Sequence, residues 1–187
     1  MNKIISTIIT TICFCQFCYA QWPNNWGISV GQSSYTLNDT AISIKNKLIG
    51  GNIFIEQPFI SDGAGWRLEI SHFRRNSEST QKPYNISNYS SLKLLIGKPL
   101  NSGKPFQFPI FFGFGLNSAK GDFKLGGFGL HLRTGARFYL GQKWGIITEG
   151  GWDGYLSGIG GRPVFINHLS LNAGIVYSVF KENKNTK

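Results

Sequence analysis

The sequence predicts an all-β chain folded as an up-and-down antiparallel transmembrane β-barrel of about eight strands. Three observations carry that expectation. Side chains alternate apolar and polar with a period of two, in runs of roughly ten residues, and no helix-period pattern of useful length interrupts them. Glycine, 24 residues in all, recurs on the polar side of the alternation. Aromatic residues open every second run: Trp26, Trp66, Phe106 and Trp144, each in the apolar parity. A flat amphipathic side chain at that level suits a membrane–water boundary.

The chain begins with a different kind of segment. Met1-Asn2-Lys3 gives a positive start, Ile4 to Phe17 is a mostly apolar stretch without charge, and Cys18-Tyr19-Ala20 supplies small residues before a cut after Ala20. This is the layout of a cleaved secretory signal over residues 1–20, and the stretch is shorter than the roughly 20 residues of a spanning helix. Cys13, Cys15 and Cys18 all fall inside it, preceded by Ile12, Phe14 and Phe17 where a lipidated cysteine expects a small residue. The mature chain therefore carries no disulfide framework, zinc–thiolate site or cysteine nucleophile. Residues 21–180 are expected to form the barrel and 181–187 a polar tail.

The runs follow in order: Trp26–Tyr35, Lys47–Gln57, Gly65–Arg74, Tyr89–Lys98, Phe106–Asn117, Gly127–Leu140, Trp144–Tyr155 and His168–Phe180. In the first, Trp26, Ile28 and Val30 alternate with Gly27, Ser29 and Gly31. In the third, Trp66, Leu68 and Ile70 alternate with Arg67, Glu69 and Ser71. The fourth sets Leu92, Leu94 and Ile96 against Lys93 and Gly97. The sixth sets Leu130, Leu132, Ala136 and Phe138 against His131, Arg133, Gly135 and Arg137. The last sets Leu169, Leu171, Ala173, Ile175, Tyr177 and Val179 against Ser170, Asn172, Gly174 and Ser178.

A soluble lipocalin-like barrel would show the same alternation with its apolar face turned inward. Lipid is favoured by the glycines, which let a narrow barrel accommodate its interior side chains. It is favoured also by a charged fraction of 15%, below the roughly 25% of ordinary soluble domains. The aromatic positions decide for lipid. Connections agree: Pro58–Ala64, Pro99–Pro105 and Gly141-Gln142-Lys143 are turn-rich and short to moderate. Arg75–Asn88, Tyr155–Asn167 and the stretch Thr36–Asn46 are longer, as outward loops should be, with Ser118–Gly126 intermediate. A ten-stranded variant, with an outer connection folded into a further hairpin, stays open.

This combination of cleaved signal, amphipathic strands, alternating connections and an aromatic-ending last strand, Leu169-Ser-Leu-Asn-Ala-Gly-Ile-Val-Tyr-Ser-Val-Phe180, resembles the small bacterial outer-membrane β-barrels. These comprise the OmpA-type and OmpX-like barrels and their Bacteroidetes relatives. The resemblance is architectural and covers the mature chain. It implies residence in the Gram-negative outer membrane. Phe180 departs from the usual pattern, being followed by Lys181–Lys187 instead of ending the chain.

On the inward parity lie Arg67, Glu69, Lys93, His131, Arg133, Arg137, Glu149 and Asp153, with Glu56 near one end. Confined charges must pair, so an ion network that locks the lumen is expected; a narrow or gated ion path is the sharper alternative. His168-Leu-Ser170 is similar to the His-x-Ser of lipid A deacylase barrels, but Leu171 stands where Asn is usual and the next acid is Glu182 in the tail. Nucleophilic catalysis needs its base held by such a third group, so a non-enzymatic barrel is the expectation and a lipid A-modifying enzyme the alternative. Arg74 and Arg75 at the outer end of the third run, with Lys82, Lys120, Lys124 and Arg162 in predicted outer loops, form a basic collar suited to lipopolysaccharide phosphates. The formal charge of +10 fits an anionic surface. An exported chain has no call for nucleic acid, and outer-membrane lipid, lipopolysaccharide or a second envelope protein are the expected partners. No metal, cofactor or phosphate-loop motif appears.

Overall fold

The computed structural model describes residues 25–38, 43–58, 64–75, 86–102, 104–159 and 162–179. The expected signal segment, Lys82, Phe180 and the expected tail lie outside the described residues. Eight strands close a barrel in sequence order: β1 (Asn25–Asn38), β2 (Ser43–Pro58), β3 (Gly65–Arg74), β4 (Ile86–Leu100), β5 (Phe106–Gly121), β6 (Lys124–Leu140), β7 (Trp144–Ile159) and β8 (Arg162–Ser178). Every neighbouring pair is antiparallel, and β1 closes on β8.

Register fixes the tilt. The partner of Gly27 is Phe54, followed by Glu69, Lys93, Gly115, Gly129, Tyr155 and Ile166, which returns to β1 at Leu37. One circuit thus climbs from position 27 to position 37 of the same strand, and such a stagger requires strands tilted by about 35–45° from the barrel axis. At the lower end, where β1 begins and β8 finishes, the turns use left-handed backbone at Asn101 (φ 59°) and Gly141 (φ 86°). Asparagine and glycine adopt that conformation at least cost.

The alternation points as the sequence requires. Leu94, Leu132 and Ile175 are exposed on the outer wall and Leu68 half-exposed, while Arg67, Lys93 and Arg133 are fully buried inside. Trp26, Phe106 and Trp144 stand exposed near the lower end, with Trp66 half-buried beside them. Outward exposure of this kind would be ruinous in water; in hydrocarbon it is what the surface needs.

The outer connections depart from expectation. β5 and β6 are separated by Asp122 and Phe123 alone, β7 and β8 by residues 160–161, and β1 and β2 by residues 39–42; only residues 75–85 make a long connection. The stretches Thr36–Asn46, Ser118–Gly126 and Tyr155–Asn167 were expected to be mainly loop and instead largely extend the strands. The reason lies in the pattern itself, because toward the upper end the alternation keeps its phase and swaps its polarity. In β1, Gln32, Ser34 and Thr36 face out while Tyr35 and Leu37 face in. In β3, His72 and Arg74 face out and Phe73 in. In β4 and β5, Ser90, Ser118 and Lys120 face out while Tyr89 and Ala119 face in. The barrel therefore continues above the hydrocarbon as a water-facing β-cylinder with an ordinary apolar core. A reader looking for lipid-phase alternation ends each strand where the polarity changes.

Candidate functional site

The lumen divides into three layers along the barrel axis. The uppermost is a plug of Tyr35, Leu37, Leu48, Phe73, Ile86, Tyr89, Ala119, Leu125, Tyr155, Val164 and Ile166, all at most 3% exposed. Across it the hydroxyls of Tyr35 and Tyr155 meet at 2.8 Å. These side chains pack against one another across the upper lumen.

Beneath the plug lies the ion network, in which Arg67, Lys93, Arg133 and Arg137 face Glu56, Glu69, Glu149 and Asp153, all buried. Four formal positive charges balance four negative ones. Arg67 on β3 grips Glu149 on β7 with both terminal nitrogens, Nη2 to Oε2 at 2.7 Å. It also reaches Glu69 at 2.7 Å and rests its guanidinium 3.7 Å from the centre of the Phe54 ring. Arg137 on β6 pairs in the same forked manner with Glu56 on β2, at 2.8 and 3.0 Å. Glu69 receives Lys93 Nζ at 2.8 Å and Arg133 Nε at 2.9 Å. Planar guanidinium groups suit this task because their donors match a carboxylate two at a time. The expected network residues are thus brought together, and His131 joins them.

Asp153 on β7 is the hub of the upper edge. His131 Nδ1 donates to it at 2.8 Å and His168 Nδ1 at 3.0 Å, Arg133 Nη1 lies at 2.9 Å, and the Tyr89 hydroxyl sits between Asp153 (2.9 Å) and Asn117 (2.7 Å). His168 also stacks on Tyr89, ring centres 3.9 Å apart. The orienting carboxylate that the sequence reading sought in Glu182 is therefore Asp153, brought from the neighbouring strand by the Asp153–His168 pairing. Yet His168 is fully buried and Ser170 is 8% exposed, both facing the sealed lumen and away from lipid. Ser170 Oγ and His168 Nε2 have no hydrogen-bond partner among the described residues, each other included. An acyl chain in the bilayer has no access to them.

Against the charged side stands a wall of small polar residues from β8, β1 and β2: Ser29, Ser33, Asn52, Ser170 and Asn172, whose side-chain polar atoms have no partner among the described residues. Groups of this kind in a closed interior are ordinarily met by ordered water. Above this wall on β1 come Tyr35 and Leu37 of the plug. Downward, a vestibule of 360 Å³ lined by Asn25, Gln107, Tyr139 and Lys104 opens at the lower mouth and stops at Glu56 and Phe111.

Of the expected collar, Lys120, Lys124 and Arg162 lie on strands and not in loops. Arg74 ends β3, Lys120 is in β5, Lys124 opens β6 and Arg162 opens β8, all exposed. Arg75 is half-buried beyond the end of β3, its backbone N–H bonded to Ser87 O at 2.8 Å. Pairing sets Arg74 opposite Asn88, Asn88 opposite Lys120 and Lys120 opposite Lys124. Three cations thus share one outward rung across four strands. Since the lumen sums to zero, the +10 of the chain is displayed elsewhere. Outside the lumen, Asp122 in the β5–β6 turn is the one carboxylate among the described residues.

A closed barrel, belted outside with hydrocarbon and crossed inside by a neutral ion network, defines a small membrane-spanning barrel. Its structural neighbours are small bacterial outer-membrane barrels. Neisserial surface protein A matches with a TM-score of 0.62 at 12% identity, over 82% of this chain and 96% of that one. OprG of Pseudomonas aeruginosa matches with a TM-score of 0.58 at 11% identity, over 87% and 99%. Ail, the attachment invasion locus protein of Yersinia pestis, matches with a TM-score of 0.51 at 16% identity, over 82% and 99%. No protein-family model and no curated relative matches the chain.

Proposed function

We propose that this chain is a non-enzymatic integral protein of the bacterial outer membrane, exported by its N-terminal signal, whose sealed barrel anchors a basic upper wall against phosphorylated lipopolysaccharide. The observation that carries the reading is the outward rung Arg74–Asn88–Lys120–Lys124. Like charges placed directly opposite on a sheet face repel, and Lys120 faces Lys124 in this way. An anion bridging them converts that repulsion into charge-assisted hydrogen bonds. The rung sits above the apolar belt, on the water-facing part of the wall. The likeness to Ail supports a polyanion partner, since that barrel has also been solved with the heparin analogue sucrose octasulfate (TM-score 0.50, 16% identity).

Catalysis on lipid A is disfavoured because His168 and Ser170 face away from lipid, and conduction because the plug and the paired charges fill the lumen. Fractionation with cold and boiled gel electrophoresis tests the localisation: heat-modifiable migration from the outer-membrane fraction supports it, and recovery from the soluble fraction refutes it. Binding to lipopolysaccharide against its dephosphorylated form tests the partner. Equal retention of the two would remove the phosphate reading.

A further inference from the structure

Glycines on the lumen wall are required by their neighbours: a β-carbon on Gly113, Gly135 or Gly174 would run into the backbone of the adjacent strand. Gly150 is different. It faces outward on β7, within the apolar belt, and a β-carbon there would come no closer than 3.8 Å to any atom. The fold has room for a side chain at this position and the sequence supplies none. The space belongs to a groove of 480 Å³ on the outer wall.

Pairing explains the shape of the groove. Its upper edge is the rung Leu132–Trp152–Leu169–Ser34–Lys47 and its lower edge the rung Thr134–Gly150–Leu171–Gln32. Between them runs the backbone of Gly151, Ser170 and Ser33 as floor. Because strands tilt, a rung is not level: it climbs from β6 to β2. The groove therefore starts apolar in the middle of the belt and rises to end at the exposed cation of Lys47, beside Ser34 and Gln32. A hydrocarbon channel terminating in a cation at the water boundary is the complement of one acyl chain attached to an anionic headgroup.

We infer that this groove is a specific lipid site, holding one acyl chain of lipid A along Gly150 with a lipid A phosphate at Lys47. The inference rests on the reading that this wall faces the outer leaflet, and it concerns a different side of the barrel from the Arg74–Lys124 rung. Lipid tails gain nothing by leaving other lipid tails, so the groove holds its chain through close packing on Trp152, Leu169 and Leu171. Selection between lipids falls to Lys47.

The test is native mass spectrometry of the full chain released from phosphatidylcholine nanodiscs doped with lipid A or, separately, with phosphatidylglycerol. The wild type is expected to retain one lipid A. Gly150→Phe fills the groove where space exists, and is expected to lower retention about fivefold, as is Lys47→Gln, a change of about 1 kcal/mol. Arg74→Gln/Lys120→Gln/Lys124→Gln is the contrast. If it loses lipid A while Gly150→Phe and Lys47→Gln retain it, the groove is wrong and the rung stands; the reverse outcome leaves the groove and removes the rung. Retention of phosphatidylglycerol in place of lipid A overturns the assignment, as does retention by Gly150→Phe at the wild-type level. Heat-modifiable migration of each variant separates these outcomes from failure to fold.

Discussion

Arg67 and Glu149 stand on β3 and β7, opposite walls of the barrel, and close the lumen between them by a forked ion pair. Neither side chain is exposed beyond 1%. A through-passage for ions would have to break this pair, and the Arg137–Glu56 pair below it, before meeting the plug above.

Breaking the pair on one side strands a buried charge. Glu149→Met or Arg67→Met is expected to cost about 3–5 kcal/mol, and the double substitution Arg67→Met/Glu149→Met less than the sum of the two single changes. Urea unfolding of refolded protein in lipid, arranged as a double-mutant cycle, measures this. Additive losses would mean the two groups do not sense one another.

The plug contributes through packing. Phe73→Ala, which leaves a void against His168 (ring centres 5.1 Å apart), is expected to lose about 3–5 kcal/mol of stability. In planar bilayers both the wild type and Phe73→Ala are expected to be silent, because the ion pairs beneath remain. Discrete conductance by the wild type would contradict the sealed lumen.

Changes at His168 and Ser170 should leave lipid alone. Lipid A from cells carrying His168→Ala or Ser170→Ala is expected to match the wild type in acylation by mass spectrometry. A difference between wild type and gene deletion that either substitution abolishes would revive the enzymatic reading.

The swap in polarity along β1 predicts a depth profile. Val30→Lys, in the apolar belt, is expected to cost about 2–4 kcal/mol in lipid, and Thr36→Lys, outward but above the belt, about 0–1 kcal/mol. Equal costs would place both residues in one environment.

Much of this was legible beforehand. Strand count, the outward set from Trp26 to Ile175 and the inward set from Arg67 to Asp153 follow from parity, because a two-residue period commits every side chain of a strand at once. What parity alone conceals is distance across the lumen. Asp153 meets His131 and His168 as direct cross-strand partners, but Tyr89 on β4 reaches it across the lumen, a contact that depends on the stagger of the closed barrel. The upper limits of the strands were misjudged for a different reason. Tyr35-Thr36-Leu37 and Ser118-Ala119-Lys120 still alternate, but with apolar residues on the parity reserved below for charge, so a pattern read as lipid-facing stops there while the ladder continues. The groove at Gly150 was hidden too, since nothing in the sequence separates a glycine that the fold demands from one that leaves room.

The whole account depends on which way the hydrocarbon side chains point, and methyl NMR in lipid nanodiscs reads that directly. Cross-relaxation to lipid acyl protons is expected from Ile70, Leu94, Leu132 and Ile175 and not from Leu95, Ile147 or Val176, their inward neighbours. Acyl contacts from the second set, with the first set contacting one another, would contradict it.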